Sequence, residues 1–338
     1  MSSRTPARRL AAVLTAVPLA LALAACGSTA DASDTADGGD TTAPAEAGTV
    51  TIEDNHGSVE VPVAPERVVA LDNHVFETLS AWDVPLAAAP KGLLGDGIWP
   101  EYAEDDAVLD VGTHREPNLE SIVAAEPDLI IGGYRFSDSY DDIVAQNPDA
   151  AVIEIAPREG EETADELVRQ VEILGQIFQR EAEAAEIVAD FEAAVADAAE
   201  AYDGTSTVVG LITSGGEISY SAPVTGRSIG TLFPTLGLVP AIEQAAEDTS
   251  HGDDISVEAI AAANPDWIIV LDRDGAGVGE GEYRPAADLI GSSEALAPVT
   301  AVARDQVIYL DPDFYLTEDI QAYTALYAQI AQAFAAAA

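Results

Sequence analysis

Leu119-Glu-Ser-Ile-Val-Ala-Ala-Glu-Pro-Asp-Leu-Ile-Ile131 returns 138 residues later as Val257-Glu-Ala-Ile-Ala-Ala-Ala-Asn-Pro-Asp-Trp-Ile-Ile269, with eight of thirteen positions identical. Each copy reads as a short helix, a Pro-Asp turn and a buried strand. Four residues past each Ile-Ile stands an arginine, Arg135 in the first copy and Arg273 in the second. A duplication this long and this widely separated implies two similar lobes rather than a solenoid of short units. Ligands of parallel α/β sheets gather just beyond the carboxyl ends of the strands. Two lobes that each place an arginine there make a cleft suited to an anion.

The flanking sequence extends the same pattern. Val68–Leu71, Pro85–Ala89 and Ala151–Ile155 are continuous apolar strands, with a helix predicted over about His74–Ala81. Unbroken apolar strands alternating with helices argue an α/β fold with mainly parallel sheets covered on both faces. Val50–Ile52 and Val59–Val61, around Asn55-His56-Gly57, predict an opening hairpin. Thr163 with Glu166 has the form of a capping box, opening a helix with Leu167, Val171, Leu174 and Phe178 on one face and weakened near its end by Gly175. Glu181–Tyr202 is an Ala- and Glu-rich helix with Gly204 as its C-cap. At about 1.5 Å per residue it spans roughly 33 Å, enough to bridge two lobes. Val208–Thr213, Trp267–Leu271 and Val307–Leu310 predict a second sheet, and Thr317–Ala335 a final helix. The expected organisation is a leader at 1–25, a tether at 26–49, an N-terminal lobe at 50–178, a bridging helix at 179–204 and a C-terminal lobe at 205–338. The expected architecture is two Rossmann-like lobes joined by one long helix, with the ligand cleft between them.

Arg4, Arg8 and Arg9 precede the apolar run Leu10–Ala25, which is too short to span a membrane with margin and ends in Leu23-Ala-Ala-Cys26, the only cysteine. This is the lipobox of a bacterial lipoprotein signal peptide. It implies that Cys26 becomes the acylated first residue, and that more than one acyl chain anchors the protein on the extracytoplasmic face of the cell membrane. Gly27–Gly48 has no large apolar residue and reads as a solvated tether.

All 60 Asp and Glu, but only 11 of the 14 Lys and Arg, lie beyond Cys26, so that part carries a formal charge of −49. Such a surface repels nucleic acid and anionic lipid, which leaves the lipid anchor as the expected membrane contact. It also makes basic residues scarce, so an arginine held in a cleft needs a specific reason.

Further segments narrow the reading: Gly133-Tyr-Arg135, Thr225-Gly-Arg-Ser-Ile-Gly230, His251-Gly-Asp-Asp-Ile-Ser-Val-Glu258, Leu271-Asp-Arg273 and Tyr309-Leu-Asp-Pro-Asp-Phe-Tyr315. With the lipobox, two lobes and single bridging helix, they resemble the substrate-binding proteins of ABC importers for ferric siderophores, haem or cobalamin. Within that superfamily they resemble the catecholate-siderophore branch, over nearly the whole of residues 50–338. The resemblance implies an arginine triad beneath the ligand, at Arg135, Arg227 and Arg273. It implies that His251 and Tyr315 stand where some members give side-chain ligands directly to iron. It also implies that Glu120 and Glu258, equivalent in the two repeats, dock on arginines of the permease. Tyr134, Phe136 and Tyr220 are candidate cleft aromatics. The sequence departs from the family at Ser228, where an aromatic is usual, and at Thr317-Glu318-Asp319, which replaces a glycine run. The chemistry fits the triad, because guanidinium stays protonated, bonds oxygen anions bidentately and stacks on aromatic rings. Ferric iron, a hard ion, accepts phenolate oxygen and tolerates imidazole.

Haem, cobalamin or a hydroxamate siderophore are alternatives within the class. A divalent-metal receptor using His74, His114 and His251 is an alternative from another class, although no His-rich loop accompanies them and such an ion would not call for three arginines. Gly275–Gly281 lacks the strand–turn–helix context of a nucleotide fingerprint, and no nucleophile elbow appears. The expectation is a monomeric receptor that is not an enzyme and has no intrinsic cofactor. It would carry an Fe(III)–siderophore as cargo to the transmembrane subunits of an ABC permease.

Overall fold

The structure is a computed structural model that describes residues 48–95, 97–245, 247–277 and 283–337. The leader, Cys26 and the tether up to Ala47 lie outside the described residues, as do 278–281 of the glycine-rich stretch.

The hairpin forms as β1 (Thr49–Asp54) and β2 (Gly57–Pro62). Thr49, expected at the end of the tether, already pairs with Pro62. The first sheet holds β3 (Val68–Ala70), β4 (Leu86–Ala89), β5 (Leu109–Asp110), β8 (Leu129–Gly132) and β9 (Ala151–Glu154), all parallel, in the order β5-β4-β3-β8-β9. Between β5 and β8 a small hairpin, β6 (Gly112–Thr113) and β7 (Glu116–Pro117), stands apart.

The second sheet is also mainly parallel, with one reversed strand. β10 (Thr207–Ser214) turns back through Gly215-Gly216 into antiparallel β11 (Glu217–Ser221), with φ of 60° and 81° at the two glycines. Two consecutive positive φ values fit the tight hairpin turn that glycine favours. Short strands β12 (Val239–Pro240) and β13 (Asp253–Asp254) pair with β10 and β11. β14 (Trp267–Asp272) and β15 (Val307–Tyr309) continue parallel on the other side.

The duplicated segments supply helix Leu119–Ala124 with β8 and helix Val257–Ala263 with β14. Asn118 and Ser256 cap these helices through side-chain oxygens that accept from Ser121 N–H and Ala259 N–H. The strands then alternate identically: Leu129 and Ile131, like Trp267 and Ile269, face one large core, while Ile130 and Ile268 face smaller outer cores. The large core is common to both sheets. Into it helix Thr163–Phe178 sends Leu167, Val171 and Leu174, the bridging helix Glu181–Ala201 sends Phe191 and Ala198, and the last helix, Ile320–Ala337, sends Tyr323, Leu326 and Ile330. Each buried aliphatic or aromatic side chain of this kind contributes roughly 1.5–3 kcal/mol.

Three local readings change. Thr163 is the first helical residue, not the cap, and Glu166 does not reach back to it. Its carboxylate is instead gripped by Arg158 and Arg169, which hold it near pH 2 despite the opposing effect of burial. Gly175 does not weaken its helix but lets the bridging helix approach: a Cβ there would meet that of Ala184 at 2.8 Å. The bridging helix is capped by extended Tyr202, with Gly204 two residues further on in the turn. Among the described residues, no helix is long and apolar enough to cross a membrane.

Candidate functional site

The ends of β8 and β14 open on the same space. Past β8 the chain enters a short 3-10 helix, Tyr134–Ser139, that presents Arg135; past β14 it presents Arg273. Arg227 arrives from the loop after β11, and Tyr315 from the one-turn helix Phe314–Thr317. These four residues line a cleft of about 570 Å³ together with Tyr134, His114, Arg115, Thr225, His251 and Leu93. A second cavity of about 570 Å³ beside the last helix is lined by Glu77, Asp311, Asp313 and Asp319 and has no guanidinium, so it does not suit an anion.

Tyr315 is the hub of the cleft. The guanidinium carbons of Arg227, Arg273 and Arg135 lie 4.2, 5.2 and 5.4 Å from its ring centroid. Burial would raise its phenol pKa, but Arg227, Arg273 and Arg135 together outweigh burial and lower it. Arg135 donates to the Tyr315 carbonyl at 3.4 Å, and Arg273 to Ser214 Oγ at 2.8 Å. Neither has a carboxylate partner among the described residues, and the Nε–H of each is buried without an acceptor. His114 Nδ1 is likewise unpartnered. Its imidazole pKa is lowered by burial and by Arg135 and Arg115, which favours the neutral ring. Buried polar atoms are normally bonded, and three of the orphans in this molecule line one cleft.

Arg227 is different. Its Nε–H donates to both oxygens of Glu318 at 2.9 and 3.0 Å, and its Nη2 to Glu318 and to the Tyr315 carbonyl. Glu318 also accepts from Ser228 Oγ and from the Tyr134 hydroxyl, each at 2.6 Å. Burial opposes the Glu318 charge, but Arg227 outweighs it and holds the carboxyl pKa at about 2. The two departures from the family pattern, Ser228 and Glu318, therefore meet at one ion pair. Behind it, His74 is buried against Asp72 (Nδ1 to Oδ1 2.6 Å), and Gln170 donates to the other oxygen of Asp72 at 3.0 Å. Burial opposes the His74 charge but Asp72 overcomes it and raises the pKa.

The remaining expectations divide. His251 lines the cleft on an exposed loop, its backbone N–H donating to Asp248. Tyr134 is in the cleft with its ring 5.2 Å from Arg135. Tyr220 is not: it is 1% exposed in the second lobe's outer core and donates its hydroxyl to the Ile242 carbonyl at 2.7 Å. Phe136 is buried in the first lobe's outer core. Tyr220 faces away because strand side chains alternate between faces, and Phe136 because successive side chains of a 3-10 helix lie a third of a turn apart. His74 does not join His114 and His251, and among the described residues no set of three His, Cys, Asp or Glu is placed to hold a metal. Glu120 and Glu258 are exposed in the first turns of the two duplicated helices. Arg115 was not singled out from sequence, and its scarcity in an acid-coated chain was the available signal.

Comparison with known proteins places the chain among solute receptors. The sequence profile of the family described as periplasmic binding protein matches residues 68–314. The petrobactin-binding protein YclQ of Bacillus subtilis (strain 168) is 29% identical over 315 residues, which is 90% of this chain and 91% of the relative. The ferric-anguibactin-binding protein FatB of Vibrio anguillarum (strain ATCC 68554 / 775) is 29% identical over 271 residues, 79% of this chain and 82% of the relative. Among solved structures, a TroA-like periplasmic binding protein from Xylanimonas cellulosilytica is similar with a TM-score of 0.71 at 29% identity, covering 86% of this chain and 99% of that one.

Proposed function

The chain belongs to the periplasmic binding protein family, and from that membership we propose that it is the extracytoplasmic receptor that captures a ferric catecholate-type siderophore and hands it to an ABC permease. The observation that carries this reading is the convergence of Arg135, Arg227 and Arg273 on the Tyr315 ring, in a chain whose formal charge is −46. Ferric catecholates are compact anions with flat aromatic faces. Guanidinium meets both properties, as an ion-pair donor and as a stacking plane. One charge pair at 4 Å contributes about 4 kcal/mol at an effective dielectric of 20, before desolvation. The relatives named for petrobactin and ferric-anguibactin agree with the choice of cargo.

Binding requires no chemistry on the cargo. When the siderophore is tetradentate, the Tyr315 phenolate and the His251 imidazole complete the iron shell. When it is hexadentate, both residues only line the wall. Glu120 and Glu258 dock one lobe each on the permease, and Cys26 carries the lipid anchor of a monomer. The core common to both sheets limits closure around the ligand to a slight movement.

The test is a titration of the purified protein that follows quenching of its three tryptophans. Ferric bis- and tris-catecholates, ferrioxamine, haem, cobalamin and zinc are compared. Tightest binding of a ferric catecholate is expected, and a preference for zinc or cobalamin overturns the reading.

A further inference from the structure

We infer that Glu318 is a built-in charge adjuster of the cleft, cancelling Arg227 so that the site selects ferric catecholates of low negative charge over trianionic ones. The inference rests on the siderophore reading and deepens it. Three guanidiniums reach Tyr315, but only Arg135 and Arg273 do so without a carboxylate partner among the described residues. The third is bonded through two nitrogens to a carboxylate whose side chain is 5% exposed.

Several features show that this pairing is constructed. Glu318 receives three donors from two separate segments: Arg227 and Ser228 of the loop after β11, and Tyr134 of the other lobe. Both segments and Glu318 itself are held in an unusual backbone conformation, with φ of 51° at Tyr134, 60° at Ser228 and 48° at Glu318. Left-handed φ is costly for residues other than glycine, so three such residues around one carboxylate mark a point that the surrounding fold over-determines. With its oxygens occupied by these donors, Glu318 stays on Arg227 rather than competing for the ligand.

The consequence is electrostatic. A unit charge acts on a trianion three times as strongly as on a monoanion at the same distance. Removing one cleft charge therefore penalises a ferric tris-catecholate, a trianion, far more than a one-to-one ferric bis-catecholate, a monoanion. The monoanion is also the complex with two iron sites open to Tyr315 and His251.

The experiment measures dissociation constants by tryptophan quenching for a synthetic tetradentate ferric bis-catecholate and a synthetic hexadentate ferric tris-catecholate. Wild type is expected to favour the bis-catecholate. Glu318→Gln, and Glu318→Gly as a variant that suits the left-handed backbone, should each shift the ratio of the two constants at least tenfold toward the trianion. Arg227→Gln/Glu318→Gln removes both charges and should return the ratio to within about threefold of wild type. An unchanged ratio in both single variants, or a shift that persists in the double variant, overturns the proposal, as does a wild-type preference for the trianion. If wild type binds neither complex, the siderophore reading itself falls, an outcome distinct from the others.

Discussion

The two duplicated halves solve the same placement problem with opposite neighbours. In each, a capped short helix and a buried strand deliver an arginine to the cleft, yet the residue just before it differs: Tyr134 in the first lobe, Asp272 in the second. Tyr134 reaches across to the second lobe and donates to Glu318. Asp272 looks inward, accepting from Gly275 N–H, the Tyr283 hydroxyl and Ala286 N–H. A repeat thus fixes where a guanidinium lands, while the residue beside it decides whether that half grips its neighbour or itself. Further ties cross between the lobes in both directions, from Asn73 to the Leu316 carbonyl at 2.7 Å and from Gln321 of the last helix to the Thr78 hydroxyl at 2.9 Å.

The largest effect expected is on delivery. Charge reversal at Glu120 or at Glu258 should each abolish siderophore uptake by cells while leaving the dissociation constant unchanged; loss in only one variant would mean that the lobes are unequal at the permease. Next is affinity. Arg135→Gln and Arg273→Gln should each weaken ferric catecholate binding at least tenfold, read by tryptophan quenching, and unchanged affinity in both would put these arginines outside the binding surface. The neighbouring residues should then part company. Asp272→Asn faces several donors with an amide and should cost about 2–3 kcal/mol in urea unfolding, with affinity held within about twofold. Tyr134→Phe should cost about 1 kcal/mol but disturb the ligand preference.

The smallest effect concerns pH. Burial, with Glu77 adding to it, raises the Asp319 carboxyl to about 7, and its Oδ2 has no partner. The folded form therefore holds this proton more tightly than the unfolded chain does. Its stabilising contribution is whole below the unfolded pKa and is lost as pH rises through about 7. Asp319→Asn keeps the bond to Ala322 N–H through Oδ1. It should gain stability at pH 8 and none below about pH 4. A gain in acid would reverse the sign.

Much of this was legible because it depends on short-range pattern. The repeat, the continuous apolar strands and the arginine four residues past each Ile-Ile are local features, and they led to β8, β14, Arg135 and Arg273. Tyr220 was misplaced because strand alternation has two phases, and the phase that buries a tyrosine whose hydroxyl finds a carbonyl looks the same in sequence as the phase that exposes it. The capping box at Thr163 failed because Glu166 met Arg158 and Arg169, a contest between partners that spacing does not report. Glu318 was noted only as a departure from a glycine run. Its pairing with Arg227, 91 residues away, is tertiary, and nothing local distinguishes it from the other acids of the chain.

Gly175 and the apolar face beneath it reach further than helix packing. Helix Thr163–Phe178, the bridging helix and the last helix all feed one core that both sheets share. Severing the chain near Gln179 would therefore leave two fragments, neither able to keep its inner sheet face dry. Heating should melt the whole body in one step, because neither half owns enough buried surface to outlast the other.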